Sequence, residues 1–264
     1  MGLQYHIKCR EGDIAPYVLL PGDPERVPIA AAHWDEAHKV AENREYVTYT
    51  GTYKGVPISC TSTGIGCPST AIAIEELARL GAQVFIRIGT CGTFQNHVDM
   101  GDLAIFDAAM RYDGASHLYV PPEFPAVASL DVTQALVDAA QAEGARYHVG
   151  ITRSADSFYA CHARPGSSFN DFWQSNWAEH FADLQRLGVL GAEMEASIIF
   201  VLTRVWGLRA GAVAVVLDNV MEVMGDEAHF DPQAGFAYGP EPVELMTRVA
   251  SEAVRLLHER GEQT

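Results

Sequence analysis

Short runs of aliphatic and β-branched residues recur along the chain, each closed by glycine or a turn. They are Tyr17-Val18-Leu19-Leu20 before Pro21-Gly22-Asp23, Val84-Phe85-Ile86-Arg87-Ile88 before Gly89-Thr90-Cys91-Gly92, and Val213-Ala214-Val215-Val216-Leu217 before Asp218. Such runs predict buried strands. Between them the apolar positions change to helical spacing. In Ser69 to Leu80, Ile72, Glu76 and Leu80 share one side, Ala73, Leu77 and Leu80 form an adjoining apolar stripe, and Gly81 stands where a C-cap belongs. From Pro242 to His258, Met246, Val249, Ala250, Ala253, Val254 and Leu257 repeat that spacing, as in a helix packed on a sheet. The alternation predicts an α/β domain around a largely central sheet. Ligands of such sheets gather beyond the carboxyl ends of strands, and all three strand runs end in polar or glycine residues. Arg164-Pro165-Gly166-Ser167-Ser168 has the turn chemistry of a mobile loop able to cover a site. With no repeat, low-complexity tract or linker, residues 1–264 read as a single domain.

At 264 residues and 48% hydrophobic content the chain can bury a large core. Its formal charge of −16 argues against a nucleic-acid binder, which needs a basic face, but leaves room for a local cluster around a small anion. Fifteen of the 18 basic residues are arginine, whose planar fork suits phosphate, although genome base composition explains that bias as easily. The five cysteines (Cys9, Cys60, Cys67, Cys91 and Cys161) show no CxxC pairing, and no secretory leader is recognisable, so a reduced, cytoplasmic thiol set is expected. The apolar runs fall short of the roughly 20 residues of a membrane helix, so no membrane partner is expected.

Three clusters carry candidate chemistry. In Pro21-Gly22-Asp23-Pro24-Glu25-Arg26, glycine permits close backbone approach and an arginine follows four residues later, which suits phosphate but is also a routine turn. In Arg87-Ile88-Gly89-Thr90-Cys91-Gly92, an arginine inside an apolar strand needs a partner, either a bound anion or a buried Asp or Glu. Between them, Ser62-Thr63-Gly64-Ile65-Gly66-Cys67-Pro68 opens the Ser69 helix, yet it lacks both the Gly-Lys-Ser/Thr ending and GxGxxG, so a nucleoside-triphosphate loop is a poor reading. Cys91 and Cys161 have no histidine partner suggested by the pattern, so a thiol nucleophile is disfavoured.

The stretch from Ser62 to Leu77 resembles, position by position, the signature of the uridine and hexameric purine nucleoside phosphorylase family. The likeness extends over nearly the whole chain, through Leu20-Pro21-Gly22-Asp23-Pro24, Glu42-Asn43-Arg44-Glu45-Tyr46, Arg87-Ile88-Gly89-Thr90, Asp113-Gly114-Ala115-Ser116, Glu123-Phe124-Pro125-Ala126-Val127-Ala128, Ser157-Phe158-Tyr159 and Glu193-Met194-Glu195. The middle segments look most like the bacterial uridine phosphorylase branch. The resemblance implies a three-layer α/β/α fold with a mixed, partly barrel-like central sheet. It implies phosphate held by Gly22, Arg26, Arg87 and Thr90, with Arg44 supplied by a neighbouring subunit of a homo-oligomer, dimer-based and commonly hexameric. Glu193, Met194 and Glu195 would grip the ribose, with His6 reaching in from the adjacent subunit. No organic cofactor is implied and phosphate is a co-substrate. Members of the family can hold a monovalent cation such as potassium near positions matching Glu45, Ile65 and Ser69, all kept here.

The base is harder to read. In uridine phosphorylases a Gln and an Arg two residues apart, after the Phe-Tyr, read the pyrimidine edge. Here Phe158-Tyr159 is followed by His162 and Arg164, so the arginine is kept and the amide is not. Those enzymes also carry an arginine just beyond the strand that here reads Val216-Leu217-Asp218-Asn219-Val220, where this chain has none. Purine-cleaving relatives place an Asp at about this point to protonate the departing base, a role open to Asp218. Asp218 is equally readable as a strand-end carboxylate and His162 as an ordinary loop histidine. The expected base contacts are Phe158, His162, Arg164 and Leu217. The expected reaction is phosphorolysis of a nucleoside to free base and ribose-1-phosphate, with uridine ahead of a purine nucleoside. Arg87, Asp218 and Glu195 are the expected catalytic groups. The rivals are a nucleosidase using water and a non-catalytic nucleoside sensor.

Overall fold

The apolar runs fold into a ten-stranded mixed sheet with helices on both faces. The structure is a computed structural model that describes residues 2–162, 168–172, 174–221 and 240–262. In chain order the elements are β1 (Tyr17–Leu20), α1 (Arg26–Ala31), β2 (Glu36–Asn43), β3 (Tyr46–Tyr53), β4 (Val56–Thr61), α2 (Cys67–Arg79), β5 (Val84–Thr93), β6 (Leu103–Tyr112) and β7 (Ala126–Val127). They continue as α3 (Leu130–Ala142), β8 (Tyr147–Ala155), α4 (Phe158–His162), α5 (Trp177–Arg186), β9 (Gly191–Glu193), α6 (Ala196–Val205), β10 (Arg209–Asn219) and α7 (Glu241–Glu262). The strand order is β10-β6-β8-β9-β5-β1-β4-β3-β2, and β5 also pairs with β10. Strands β10, β6, β8, β9 and β5 therefore close into a five-stranded ring, while β1, β4, β3 and β2 extend from it as an open wing. This is the mixed, partly barrel-like α/β sheet that the resemblance implied.

Continuous apolar runs suit strands covered on both sides. In β10, Ala212, Ala214 and Val216 join the core under α2 and α6, whereas Val213 and Val215 join the core under α1, α3 and α7. In β5, Phe85 belongs to the first core and Ile86 and Ile88 to the second. A third, smaller cluster gathers Phe94, Phe181, Leu184, Val189, Ala192 and Val220 beyond the ends of β5 and β10.

The sequence expectation for β5 needs one correction. Gly89-Thr90-Cys91-Gly92 is no turn: β5 continues to Thr93, held in parallel register with β10 through Asn219 opposite Thr93. The glycines serve neighbouring side chains instead. The guanidinium of Arg87 lies over Gly89, and the Asp218 carboxylate and Val220 lie over Gly92. Likewise β10 runs to Asn219, with Asp218 inside it at a register shift. The expected helices appear as α2, entered through Gly66 at φ +93° and left through Gly81 at φ +103°, and α7. Among the described residues no helix is long and apolar enough to cross a membrane. The expected mobile loop around Arg164 lies outside the described residues, except for Ser168.

Candidate active site

Arg87 projects from the middle of β5 and is 4% exposed. A buried guanidinium is costly unless paired, and here the partner is a pair of carboxylates. Its Nε is 2.8 Å from Oε2 of Glu193 and its Nη2 is 2.5 Å from Oε2 of Glu195. Of the two partners the sequence left open, the structure shows the carboxylates. Although it faces Glu193, the buried Nε makes no hydrogen bond, so the guanidinium is held by charge without being fully hydrogen-bonded. Burial by itself would lower the Arg87 pKa, and the charges of Glu195 and Glu193 more than reverse this, holding the group charged.

The two glutamates come from the turn between β9 and α6 and do different things. Oε2 of Glu193 accepts the backbone N–H groups of Glu195 and Ala196, both at 2.8 Å, which caps α6 where its N–H groups have no helical partner. Its Oε1 accepts from Ser154 Oγ, which in turn accepts the Ser197 N–H at 2.9 Å. Ser197 Oγ donates to Oδ2 of Asp113 at 2.6 Å, and Ser116 Oγ donates to the same oxygen at 2.9 Å. Glu193 is thus engaged by the protein on both oxygens. Glu195 is less so: its Oε1 accepts the Gly66 N–H at 2.6 Å, at the start of α2, and its Oε2 meets Arg87. Each Glu195 oxygen retains a lone pair. Burial pushes the Glu195 carboxyl above the usual carboxylate range, with Arg87 pulling the other way.

Sequence reasoning gave no role to Ser154, Ser197 or Asp113. The only available signal was that Asp113 falls in one of the matching segments, because isolated serines in a strand and a helix announce nothing.

Arg26, the first residue of α1, is half-buried. Burial lowers its pKa, with Arg87 acting in the same sense and Asp23 and Glu195 opposing, so its charge belongs to the same local field. Gly22 sits where the ends of β1 and β4 are tied: Thr63 N–H donates to Pro21 O at 2.8 Å and Gly64 N–H to Gly22 O at 3.0 Å. A Cβ at Gly22 would stand 3.2 Å from Gly64 O, so only glycine fits comfortably. Thr90 is half-buried three residues beyond Arg87 on β5. Arg44 stands exposed in the β2–β3 turn with φ +54°, and no described contact joins it to the Arg87 group. His6 is bound to Glu76 of α2, not to the Arg87 group. Met194 joins the two glutamates, and its carbonyl is 3.3 Å from Cys67 Sγ.

At the other end of the site, Asp218 is half-buried above Gly92 and beside the buried Cys91, whose thiol is pushed up in pKa by burial first and then by Glu193 and Asp218. Leu217, at the register shift of β10, is partly buried against the core under α3 and α7. Phe158 opens α4, is 43% exposed and meets Tyr159 edge-on at 5.3 Å. Of His162 only the backbone, at the end of α4, is described, and Arg164 lies outside the described residues. Glu45, Ile65 and Ser69 do cluster, since Ser69 Oγ donates to Ile65 O at 3.3 Å and a Cβ on Gly64 would meet both Glu45 and Ser69. Among the described residues no group of three or more His, Cys, Asp or Glu could hold a metal ion.

The arrangement places an incompletely hydrogen-bonded arginine fork, a second arginine and a buried carboxylate with free lone pairs at the end of β1 and beside the middle of β5. This can seat an oxyanion next to a polyhydroxyl ligand. The family model for the phosphorylase superfamily matches residues 16–258. A uridine phosphorylase of Thermococcus kodakarensis is 50% identical over 262 residues, covering 99% of this chain and 89% of its own length. A uridine phosphorylase of Treponema pallidum is 41% identical, covering 96% and 94%. A guanosine phosphorylase of Halorubrum lacusprofundi is 38% identical, covering 84% and 86%. On this match, which spans the whole sheet and the Arg87 cluster, the chain belongs to the phosphorylase superfamily.

Proposed function

We propose that the chain is a pentosyltransferase that cleaves a nucleoside with inorganic phosphate, giving free base and ribose-1-phosphate, and that uridine is its preferred substrate. The observation that carries this reading is the buried Arg87, paired in charge to Glu193 and Glu195 yet not fully hydrogen-bonded. Phosphate meets that guanidinium together with Arg26, Thr90 and the backbone at Gly22. Arg44 completes the cage from a second copy, which fits its exposure at a turn away from its own Arg87. Net charge does not oppose this, because a cleft lined by guanidinium groups has its own local field.

Glu195 takes the ribose hydroxyls as a hydrogen-bond acceptor, while Glu193 acts through it by fixing the turn and the Arg87 fork. A phosphate oxygen forms the new bond to the anomeric carbon as the bond to the base nitrogen breaks, and the base leaves with the electron pair. The transition state carries positive charge on the sugar between two anionic groups, phosphate and Glu195, which stabilise it more than the ground state. No covalent enzyme intermediate is required. The residues we assign to the base are Phe158, His162, Arg164 and Leu217.

A purine nucleoside is the second reading, favoured by Asp218 at the register shift of β10 and by the likeness to a guanosine phosphorylase. In that case Asp218 is the acid that protonates the departing base. A homo-oligomer, dimer-based and of hexamer type, follows from the donated Arg44 and His6. A potassium ion between copies fits the clustering of Glu45, Ile65 and Ser69 beside the 77% exposed Ile65. Among the described side chains the thiols Cys9, Cys60, Cys67 and Cys91 are free, which suits the reducing cytoplasm. One domain spanning 1–264 accords with the continuous sheet. The test is a panel of uridine, thymidine, inosine, guanosine and adenosine, each with and without phosphate. Phosphate-dependent release of uracil supports the reading, and release of base at equal rate without phosphate replaces it with a hydrolase.

A further inference from the structure

Glu76 breaks the apolar stripe of α2, and the structure shows why a charge is tolerated there. Its carboxylate is 4% exposed and accepts from the N-terminal segment on both oxygens. His6 N–H lies 3.1 and 3.0 Å from Oε1 and Oε2, Ile7 N–H donates to Oε2 at 2.9 Å, and His6 Nδ1 is 2.7 Å from Oε1. Asn43 Nδ2 donates to His6 O at 2.7 Å, and the Tyr5 ring meets the imidazole edge-on at 4.8 Å. The imidazole is therefore fixed in orientation, while 31% of the His6 side chain remains exposed.

An ionised carboxylate only accepts, so the short contact to Nδ1 requires the ring proton there. A neutral imidazole has one N–H, and Nε2 is left as a bare acceptor. The same helix begins at Gly66, whose N–H holds Glu195. Ten residues further, about 15 Å along its axis, it holds His6.

We propose that Glu76 is a positioning residue that selects the Nδ1–H tautomer of His6, so that Nε2 is presented as an acceptor to a sugar hydroxyl in the site of a second copy. This rests on the phosphorolysis reading and its donated His6. One helix then orders a carboxylate of its own site and a histidine of its neighbour's.

Two measurements test it on the full-length protein. In histidine-labelled wild type, at a pH where His6 is neutral and with His6→Gln used for assignment, nitrogen NMR should show Nδ1 protonated. A protonated Nε2 would overturn the proposal. In kinetics, uridine is compared with its 2′-, 3′- and 5′-deoxy analogues in phosphate. Glu76→Gln should lower kcat/KM for uridine about tenfold, the scale of one lost hydrogen bond, mainly through KM. It should also abolish discrimination at one hydroxyl, the same one affected by His6→Ala. An equal loss on all four substrates would show an anchor for the N-terminus and nothing more. If wild type releases no base from any of them, the phosphorolysis reading fails while the NMR result still decides the tautomer.

Discussion

The guanidinium of Arg87 lies against Gly89 two residues along the same strand, where a Cβ would stand 2.9 Å from both Cζ and Nη2. The glycine thus leaves the space that the Arg87 fork of the proposed anion site occupies. Gly89→Ala should push the fork off Glu195 and away from the phosphate position. We expect kcat/KM to fall by about 100-fold, the scale of a lost transition-state donor, with a circular dichroism spectrum like that of wild type. Unchanged activity would mean that the fork position is not needed.

Glu193 and Glu195 should separate in their effects. Glu193→Ala removes the cap of α6 and one of the two partners of Arg87, and should destabilise the fold by about 3 kcal/mol, as breaking a buried pair does, read by chemical denaturation. Glu195→Gln keeps an acceptor for Gly66 N–H but removes one of the two charges facing Arg87, and should cost less stability than Glu193→Ala while cutting kcat/KM about 100-fold.

The same carboxylate sets a pH dependence. Burial raises the Glu195 pKa in the folded protein, and in the proposed reaction the ionised form accepts the ribose hydroxyls. As pH falls, activity should therefore be lost at a higher pH than an ordinary carboxylate would give. The pH profile of kcat/KM checks this, and Glu195→Gln should lack that limb.

Asp218 divides the two substrate readings. Asp218→Asn should slow inosine or guanosine cleavage by about 100-fold if it is the acid, and should change uridine cleavage little, because a departing uracil needs no proton at a ring nitrogen remote from the bond. Initial rates on both substrates decide it.

A fourth carboxylate should govern acid stability. Glu252 of α7 meets Lys54 at 2.8 Å and Arg255 at 2.7 Å, which clasps the helix to the β3–β4 turn. Burial alone would raise its pKa, but Arg255 and Lys54 more than reverse this and hold it at about 2. A lowered folded pKa contributes stability that is complete above the ordinary value of 4.5 and disappears as pH falls toward 2. Glu252→Gln should unfold at a lower temperature than wild type at pH 7, and the difference should vanish near pH 2.

Periodicity exposed β1, the cores of β5 and β10, and the helices α2 and α7, because buried strands and amphipathic helices write their faces into the sequence. It mistook Gly89 to Gly92 for a turn, since local glycine content says nothing of the partner strand or of a guanidinium needing space. Arg87 was recognisable as a charge in an apolar strand, but its partners, more than 100 residues away in sequence, were not. Glu76 carried the same kind of signal in α2 and was overlooked, since its partner is the backbone of the first few residues. Ser154 and Ser197 left no trace in any pattern.

The most direct test is a crystal of the full chain grown in phosphate. The account requires a phosphate within hydrogen-bond distance of the Arg87 guanidinium and of Arg26, with Glu195 still beside the fork. A site empty of phosphate at saturating concentration, with Arg87 bound only to Glu193 and Glu195, would contradict it.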